Sequence, residues 1–299
     1  MAGSSKANKC YNIRSITLPC RSHPSTLRIE EELNKLKAWE ASPMPTAENV
    51  CNGLSGLEEL YKCMDDLYNL PMTQQALSQH QHEKWINELL DGSLRLLDVC
   101  GTTRDAVSQM KEHVRDLQSS LQRRKGDSRT ESRIVKYNCF RKKMEKDARK
   151  LIAALKRFDN KIEASLLLDV DHDTSSVIRV LREVSVLSSC VFQSLLLFLS
   201  VPILKAKPTK WSLVSKMLRN GKVACEEQQD IVINELKSVD VALQTLRGSK
   251  SSEGDDNIQI AQSSLEALGA RIEGVENGLE GMFRRLIKTR ASLLNIVSQ

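Results

Sequence analysis

Two clusters in this 299-residue chain contain the residue types that bind metal ions. His80 and His82 place two imidazoles two residues apart. On a helix, such residues point about 200° apart and cannot share one metal ion. The segment 169–173 groups three carboxylates around His172, but the glycine turn and the distal glutamate of a calcium loop are missing. We therefore predict no metal site and no cofactor at either cluster.

Nucleophilic catalysis would require a serine or cysteine in a setting that activates it. Ser, His and Asp residues are scattered through the chain, and none of the serines lies in a G-x-S-x-G turn. Catalysis also requires polar groups that converge in a pocket, and no pattern points to one. We expect no catalytic residues and a protein that is not an enzyme. An enzyme of unknown class is the most distant alternative.

The densest cluster of charge is basic. Between Arg123 and Lys161 the chain has fifteen Lys or Arg residues against five Asp or Glu residues. Within this run we predict a basic interaction face on one helix, formed by Arg141, Lys142, Lys143, Lys146, Arg149, Lys150, Lys156 and Arg157. A solvated face paired with acidic helices, such as the one that carries Glu226 and Glu227, is the first interpretation. Contact with anionic lipid headgroups is the second, at about 1 kcal/mol per cation.

Nucleic acid is not expected as a partner, because aromatic interleaving, zinc-ligand spacing and a recognition-helix motif are missing. The predicted partner is a protein, with peripheral contact with an anionic membrane as the alternative.

The first 24 residues are Ser-rich, contain four Lys or Arg residues and lack acidic residues. This composition predicts a disordered basic tail. Ser15 and Thr17 lie one and three residues after Arg14, so they are candidate phosphorylation sites for a basophilic kinase. Phosphate there would reduce the positive charge of the tail. We favour a regulatory tail, with a targeting peptide as the alternative.

The elements that position these residues are predicted to be helices. Aromatic residues make up only 4% of the chain, and no proline occurs between positions 72 and 201. Because proline interrupts helices, this span permits long ones. Apolar spacings of three and four predict helices near 26–40, 47–70, 83–122, 131–162, 177–201 and 232–246. Thr46 is the predicted N-cap of the second helix.

The last segment has the most regular pattern. A heptad seam runs through Leu265, Leu268, Ile272, Val275, Leu279, Met282, Leu286, Leu293 and Ile296. Gly274 and Gly278 lie beside the seam, where their spacing would allow a neighbouring backbone to approach closely. Packing within the chain is the favoured interpretation, and pairing between chains is the alternative.

The segment 184–204 contains no charged residue over 21 positions, which is long enough to cross a bilayer. Its apolar stripe continues that of an amphipathic helix and it contains five serines, so we predict a central core helix. A membrane-anchored protein with one span at 184–204 is the runner-up interpretation.

Several stretches of sequence resemble the plant-specific BYPASS-related family. They are RSITLP at 14–19, RSHP at 21–24, LPMTQQAL at 70–77, KWINELLDGSLRLLDVCG at 84–101, KWSLVSK at 210–216 and GLEGMFRRLIKTR at 278–290. The resemblance covers nearly the whole chain and implies a role in root and shoot development. The family has no established biochemical activity, so no catalytic residue is carried over.

Together these patterns predict an all-α fold, an elongated bundle of long, mostly antiparallel helices. We expect one domain at 25–299 after the tail at 1–24, with linkers near 123–130, 202–209 and 247–257. The eight scattered cysteines and the lack of a secretory signal predict reduced thiols and a cytoplasmic protein, with membrane association left open. The predicted function is non-catalytic: a scaffold or regulator that acts through contacts of its helix surfaces, which the family resemblance places in plant root and shoot development.

Overall fold

The computed structural model describes residues 24–41, 46–123, 128–164, 172–202, 234–248 and 254–298. Every regular element in these ranges is an α-helix, which confirms the all-α prediction. The helices are α1 (Pro24–Glu40), α2 (Ala47–Tyr68), α3 (Pro71–Gln79), α4 (Lys84–Gln122), α5 (Ser128–Ala164), α6 (His172–Leu199), α7 (Glu235–Gly248) and α8 (Gly254–Val297).

Local sequence signals account for where α2 and α3 begin. The Thr46 hydroxyl caps α2 by accepting a hydrogen bond from the Asn49 N–H at 3.2 Å, as predicted. The short helix α3 was not predicted. Pro71 occupies its first turn, where the missing N–H of proline costs nothing, and Thr73, Ala76 and Leu77 bury one side. The helix is too short for a periodic pattern to reveal it.

The long helix α8 organises much of the bundle by packing against α2, α3, α4 and α7. All nine residues of the heptad seam are buried against other helices of the chain. A Cβ atom built on Gly278 would lie 3.1 Å from Leu54 Cδ1, and one built on Gly274 would lie 3.2 Å from Cys51 Sγ. The two glycines therefore bring α2 close to α8.

The relative directions of the helices are mixed. Arg104 pairs with Glu280 and Lys111 with Glu276, so α4 and α8 are antiparallel. By contrast, Glu48 pairs with Arg271 and Asp65 with Lys288, so α2 and α8 run parallel. The α2–α8 pair is thus parallel, unlike the antiparallel arrangement that the sequence predicts for most helices.

Helix α6 lies at the centre and contacts α1, α2, α3, α4 and α5. Its segment Val177–Leu199 has the length, and a mean hydropathy of 1.5, that a membrane span requires. However, Phe192, Leu195 and Leu196 are buried in the same core as residues from the seven other described helices. Ser188 also lies within the core, 3.2 Å from the Tyr61 hydroxyl. This burial favours a core helix over a membrane span.

Candidate interaction surface

Seven basic residues cover the outer side of α5, and we name this set the α5 basic surface. At 100° per residue they lie within an arc of about 140° around the helix. All seven are exposed to solvent: Lys142, Lys143, Lys146, Arg149, Lys150, Lys156 and Arg157. The predicted face thus forms one continuous surface, with one exception.

Ion pairs neutralise only part of this surface. Arg149 contacts Glu145 at 2.8 Å and Lys150 contacts Asp147 at 3.1 Å, both within α5. Such exposed pairs contribute only a few tenths of a kcal/mol, about 0.2–0.5 each. Lys142, Lys143, Lys146 and Lys156 form no ion pair with any residue that the structure describes. No described residue neutralises these four charges.

The exception is Arg141, whose predicted place on the exposed face is wrong. Its side chain is 0% exposed and points into the core. The reason is helical phase, because Arg141 lies four residues after Tyr137 and three before Met144, which are both buried. Arg141 therefore belongs to the inner side of α5 and contributes nothing to the surface.

A buried polar cluster surrounds Arg141. One guanidinium nitrogen, Nη2, lies 3.2 Å from Asp240 Oδ2 on α7 and donates to the Val201 carbonyl at 2.9 Å. The other, Nη1, donates to the Leu199 carbonyl at 3.1 Å, at the end of α6. The Tyr137 hydroxyl completes the cluster by donating to Asp240 Oδ1 at 3.1 Å. The cluster thus ties α5 to the C-terminal end of α6 and to α7.

Burial sets the ionisation of the cluster. It raises the pKa of Asp240 above its ordinary value, although the Arg141 guanidinium and the Tyr137 hydroxyl oppose this shift. Burial and the nearby Asp240 charge also raise the pKa of Tyr137 well above 10.0. Removal of one partner of a buried ion pair leaves the other charge buried and unpaired. This costs more stability than the intact pair contributes. Arg141 is therefore a structural residue.

A cavity of about 210 Å³ lies beside the basic surface, between α4 and α5, and we name it the α4–α5 slot. Its floor is apolar and includes Leu196 and Leu199 of α6. Its remaining lining residues are Thr102, Thr103, Asp105, Ala106 and Gln109 of α4, and Phe140, Lys143, Met144, Asp147, Ala148 and Leu151 of α5. Lys143 thus belongs both to the slot and to the basic surface.

The structure describes only some of the other predicted sites. His80 packs near the Trp85 ring at a centroid distance of 6.2 Å. Ser15, Thr17, the acids at 169 and 171, and Glu226 and Glu227 lie outside the described residues. Among the residues that the structure describes, no group of three or more His, Cys, Asp or Glu side chains is arranged to hold a metal ion.

Sequence reasoning missed Asp240 and the slot. Asp240 is 99 residues from Arg141, and its position in the apolar stripe of α7 was the one local signal of its burial. The slot depends on how three helices are placed together, and no local pattern encodes that placement. The exposed side of α5, in contrast, was visible in the sequence.

Comparison with known proteins links the chain to one family. The family model described as Protein BPS1 matches residues 53–296, which include α3 to α7 and most of α2 and α8. No curated protein matches the chain. No solved structure matches it either. The match covers far more than half of the chain and agrees with the BYPASS-related resemblance, so this protein belongs to the BPS1 family.

Proposed function

We propose that this protein is a non-catalytic regulator that binds a negatively charged partner through the α5 basic surface. Membership in the BPS1 family suggests a plant developmental regulator, and root and shoot development is the finer setting of the proposal. The observation that carries it is the set of exposed lysines at 142, 143, 146 and 156 on one side of α5, which form no ion pair with any described residue. Clustered exposed cations favour association with anions.

The inner side of α5 supports this role. The Arg141 cluster and the apolar residues beside it anchor the helix to α6 and α7. The basic side chains therefore project from a backbone that is held in place, which reduces the ordering cost when a partner binds. Contacts between exposed charges are screened over about 8 Å at physiological ionic strength, so this binding should weaken as salt rises.

Charge reversal tests the proposal. A variant with Lys142, Lys143, Lys146 and Lys150 all changed to Glu should lose binding to its partner or to membranes. Tagged protein would be expressed in plant cells, and we would measure both the proteins that it recovers and its release from membrane pellets by salt. Wild-type protein should be recovered with an anionic partner or released by high salt, whereas the variant should do neither.

The matched control reverses four exposed arginines elsewhere: Arg95, Arg115, Arg123 and Arg284 to Glu. It changes net charge by the same amount and should retain partner binding. The proposal is wrong if the α5 variant keeps the location and the partners of the wild type. An alkaline carbonate wash tests whether the protein spans the membrane. Protein that stays in the membrane pellet after both the high-salt wash and the carbonate wash would be anchored through α6.

A further inference from the structure

The shape of the α4–α5 slot limits what it can hold. Its volume of about 210 Å³ is below the roughly 300–1,000 Å³ of small-molecule sites. It suits one large apolar side chain, which would lie over Leu196, Leu199 and Phe140. The slot is open along the groove between α4 and α5, so such a side chain can enter from a segment that lies across the mouth.

Two rows of opposite charge border this groove. On α4, the exposed acidic residues Asp98, Asp105 and Glu112 repeat every seven residues, so they lie on one side of the helix. On α5, the exposed basic residues Lys136, Lys143 and Lys150 repeat with the same spacing. Asp105 and Lys143 both line the slot, which shows that the two rows face the same groove.

The rows are also in register. The helices are antiparallel, as Arg133 hydrogen bonds to the Asp116 carbonyl and His113 packs on Phe140 at 4.7 Å. These contacts place Glu112 within about one helical turn of the level of Lys136, and likewise Asp105 with Lys143 and Asp98 with Lys150.

Despite this register, the two rows do not neutralise each other. Asp98, Asp105 and Glu112 form no ion pair with any described residue, and Lys150 pairs within α5. The groove thus has a row of acidic residues on α4 and a row of basic residues on α5, with Asp147 of the slot lining paired to Lys150. No described residue pairs with Asp98, Asp105, Glu112, Lys136 or Lys143, so these five charges can meet an occupant.

We propose that the groove binds a helix of a partner protein. The helix places one large apolar residue in the slot, an acidic edge against Lys136, Lys143 and Lys150, and a basic edge against Asp98, Asp105 and Glu112. A membrane fits less well, because its single negative sign would be repelled by the acidic row. This inference rests on the proposed function and names the partner class: a mixed-charge amphipathic helix with an apolar anchor.

The probe is a displayed library of helical peptides, panned against the full chain. Enriched peptides should combine one large apolar residue with acidic positions on one edge and basic positions on the other. Ala106→Trp places an indole at the slot and should weaken their binding about tenfold or more, as loss of an interface anchor does. Ala270→Trp, at an exposed site on α8, is the matched control and should leave binding unchanged.

A second variant keeps the test decisive if Ala106→Trp does not fold by circular dichroism. The double variant Asp105→Lys with Lys143→Glu exchanges the acidic and basic charges on the two sides of the slot. It should favour peptides whose acidic and basic edges are exchanged, and weaken binding of the original peptides.

Three results would overturn the inference: a library that yields no binder, binders that are indifferent to both variants, or binding to phosphatidylserine vesicles that Ala106→Trp does not change. The last result would leave the proposed function intact, since charge reversal on α5 would still abolish binding to the vesicles. Failure of the charge-reversal experiment, by contrast, would remove the proposed function as well.

Discussion

The two sides of α5 carry similar basic residues in opposite surroundings. Arg141, on the inner side, is fully buried and holds Asp240 and two carbonyl groups at the end of α6. Lys142, the next residue, is exposed and has no ion-pair partner among the described residues. One step along the chain turns the side chain by about 100°, from the core to solvent.

This comparison shows that the position of a charge around the helix decides its role. A buried charge must be paired, so its loss acts on folding. An exposed charge costs the fold almost nothing, so it is free to act on a partner. The inner side of α5 should therefore respond to mutation through stability, and the outer side through binding.

The largest effect should come from Arg141→Met. The change leaves the Asp240 carboxylate buried without its cation, which should lower the free energy of unfolding by about 3–5 kcal/mol. Urea-induced unfolding followed by circular dichroism measures this. Lys142→Met is the matched control and should change stability by about 0.5 kcal/mol or less.

The double variant Arg141→Met with Asp240→Leu sharpens the same test. Replacement of both charges by apolar groups removes the unpaired carboxylate and should recover most of the lost stability. If Arg141→Met is no more harmful than Lys142→Met, the two sides of α5 do not differ as we describe.

A smaller effect is expected for Tyr137→Phe. The change removes the hydrogen bond to Asp240 and should cost about 1.5–3 kcal/mol, as for other bonds to charged groups. Tyr61→Phe is the comparison, because the Tyr61 hydroxyl faces the neutral Ser188 at 3.2 Å. Tyr61→Phe should therefore lower the free energy of unfolding by about 1 kcal/mol. Equal losses would contradict a charged acceptor at Tyr137.

The pH dependence of stability offers a second measurement on Tyr137. Its pKa is raised well above 10.0 in the folded protein, so above that pH the unfolded chain releases a proton that the folded chain retains. The free energy of unfolding should then fall by about 1.4 kcal/mol per pH unit on account of this residue. Tyr137→Phe should remove that contribution. The prediction is wrong if the free energy of unfolding of the wild type and of the variant falls with the same slope between pH 10 and 11.

The smallest effect on stability is expected at the basic surface. A variant with Lys142, Lys143 and Lys146 all changed to Gln should unfold within about 0.5 kcal/mol of the wild type. Any difference should shrink as salt is added, because exposed charges are screened. Urea unfolding at low and high salt measures both points. A loss comparable to that of Arg141→Met would show that the surface has a structural role.

Much of the fold was predictable because the apolar periodicity of a helix is visible within its own segment of sequence. The apolar spacing of α4 and α8 and the proline-free spans required no knowledge of distant contacts. The same periodicity also carried the signal for Arg141, which is in phase with Tyr137, Met144 and Ala148. The predicted basic face included it because its members were grouped by proximity in sequence and not by angle around the helix.

The remaining features depend on contacts between distant parts of the chain. Asp240 is recognisable as the partner of Arg141 only once α7 is placed against α5. The slot requires the positions of α4, α5 and α6 together. The acidic row of α4 was present in the sequence, but only the antiparallel register shows that it faces the basic row of α5.

The position of α8 in the chain has a consequence for biosynthesis. The helix covers apolar sides of α2 and α4, and its Lys288 contacts Asp65 across 223 residues of sequence. At 5–20 residues per second, a ribosome needs roughly 10–45 s to progress from α2 to the end of α8. During that time the surfaces that α8 will cover remain open to chaperones and to neighbouring chains. The bundle can close only after most of the chain has been synthesised.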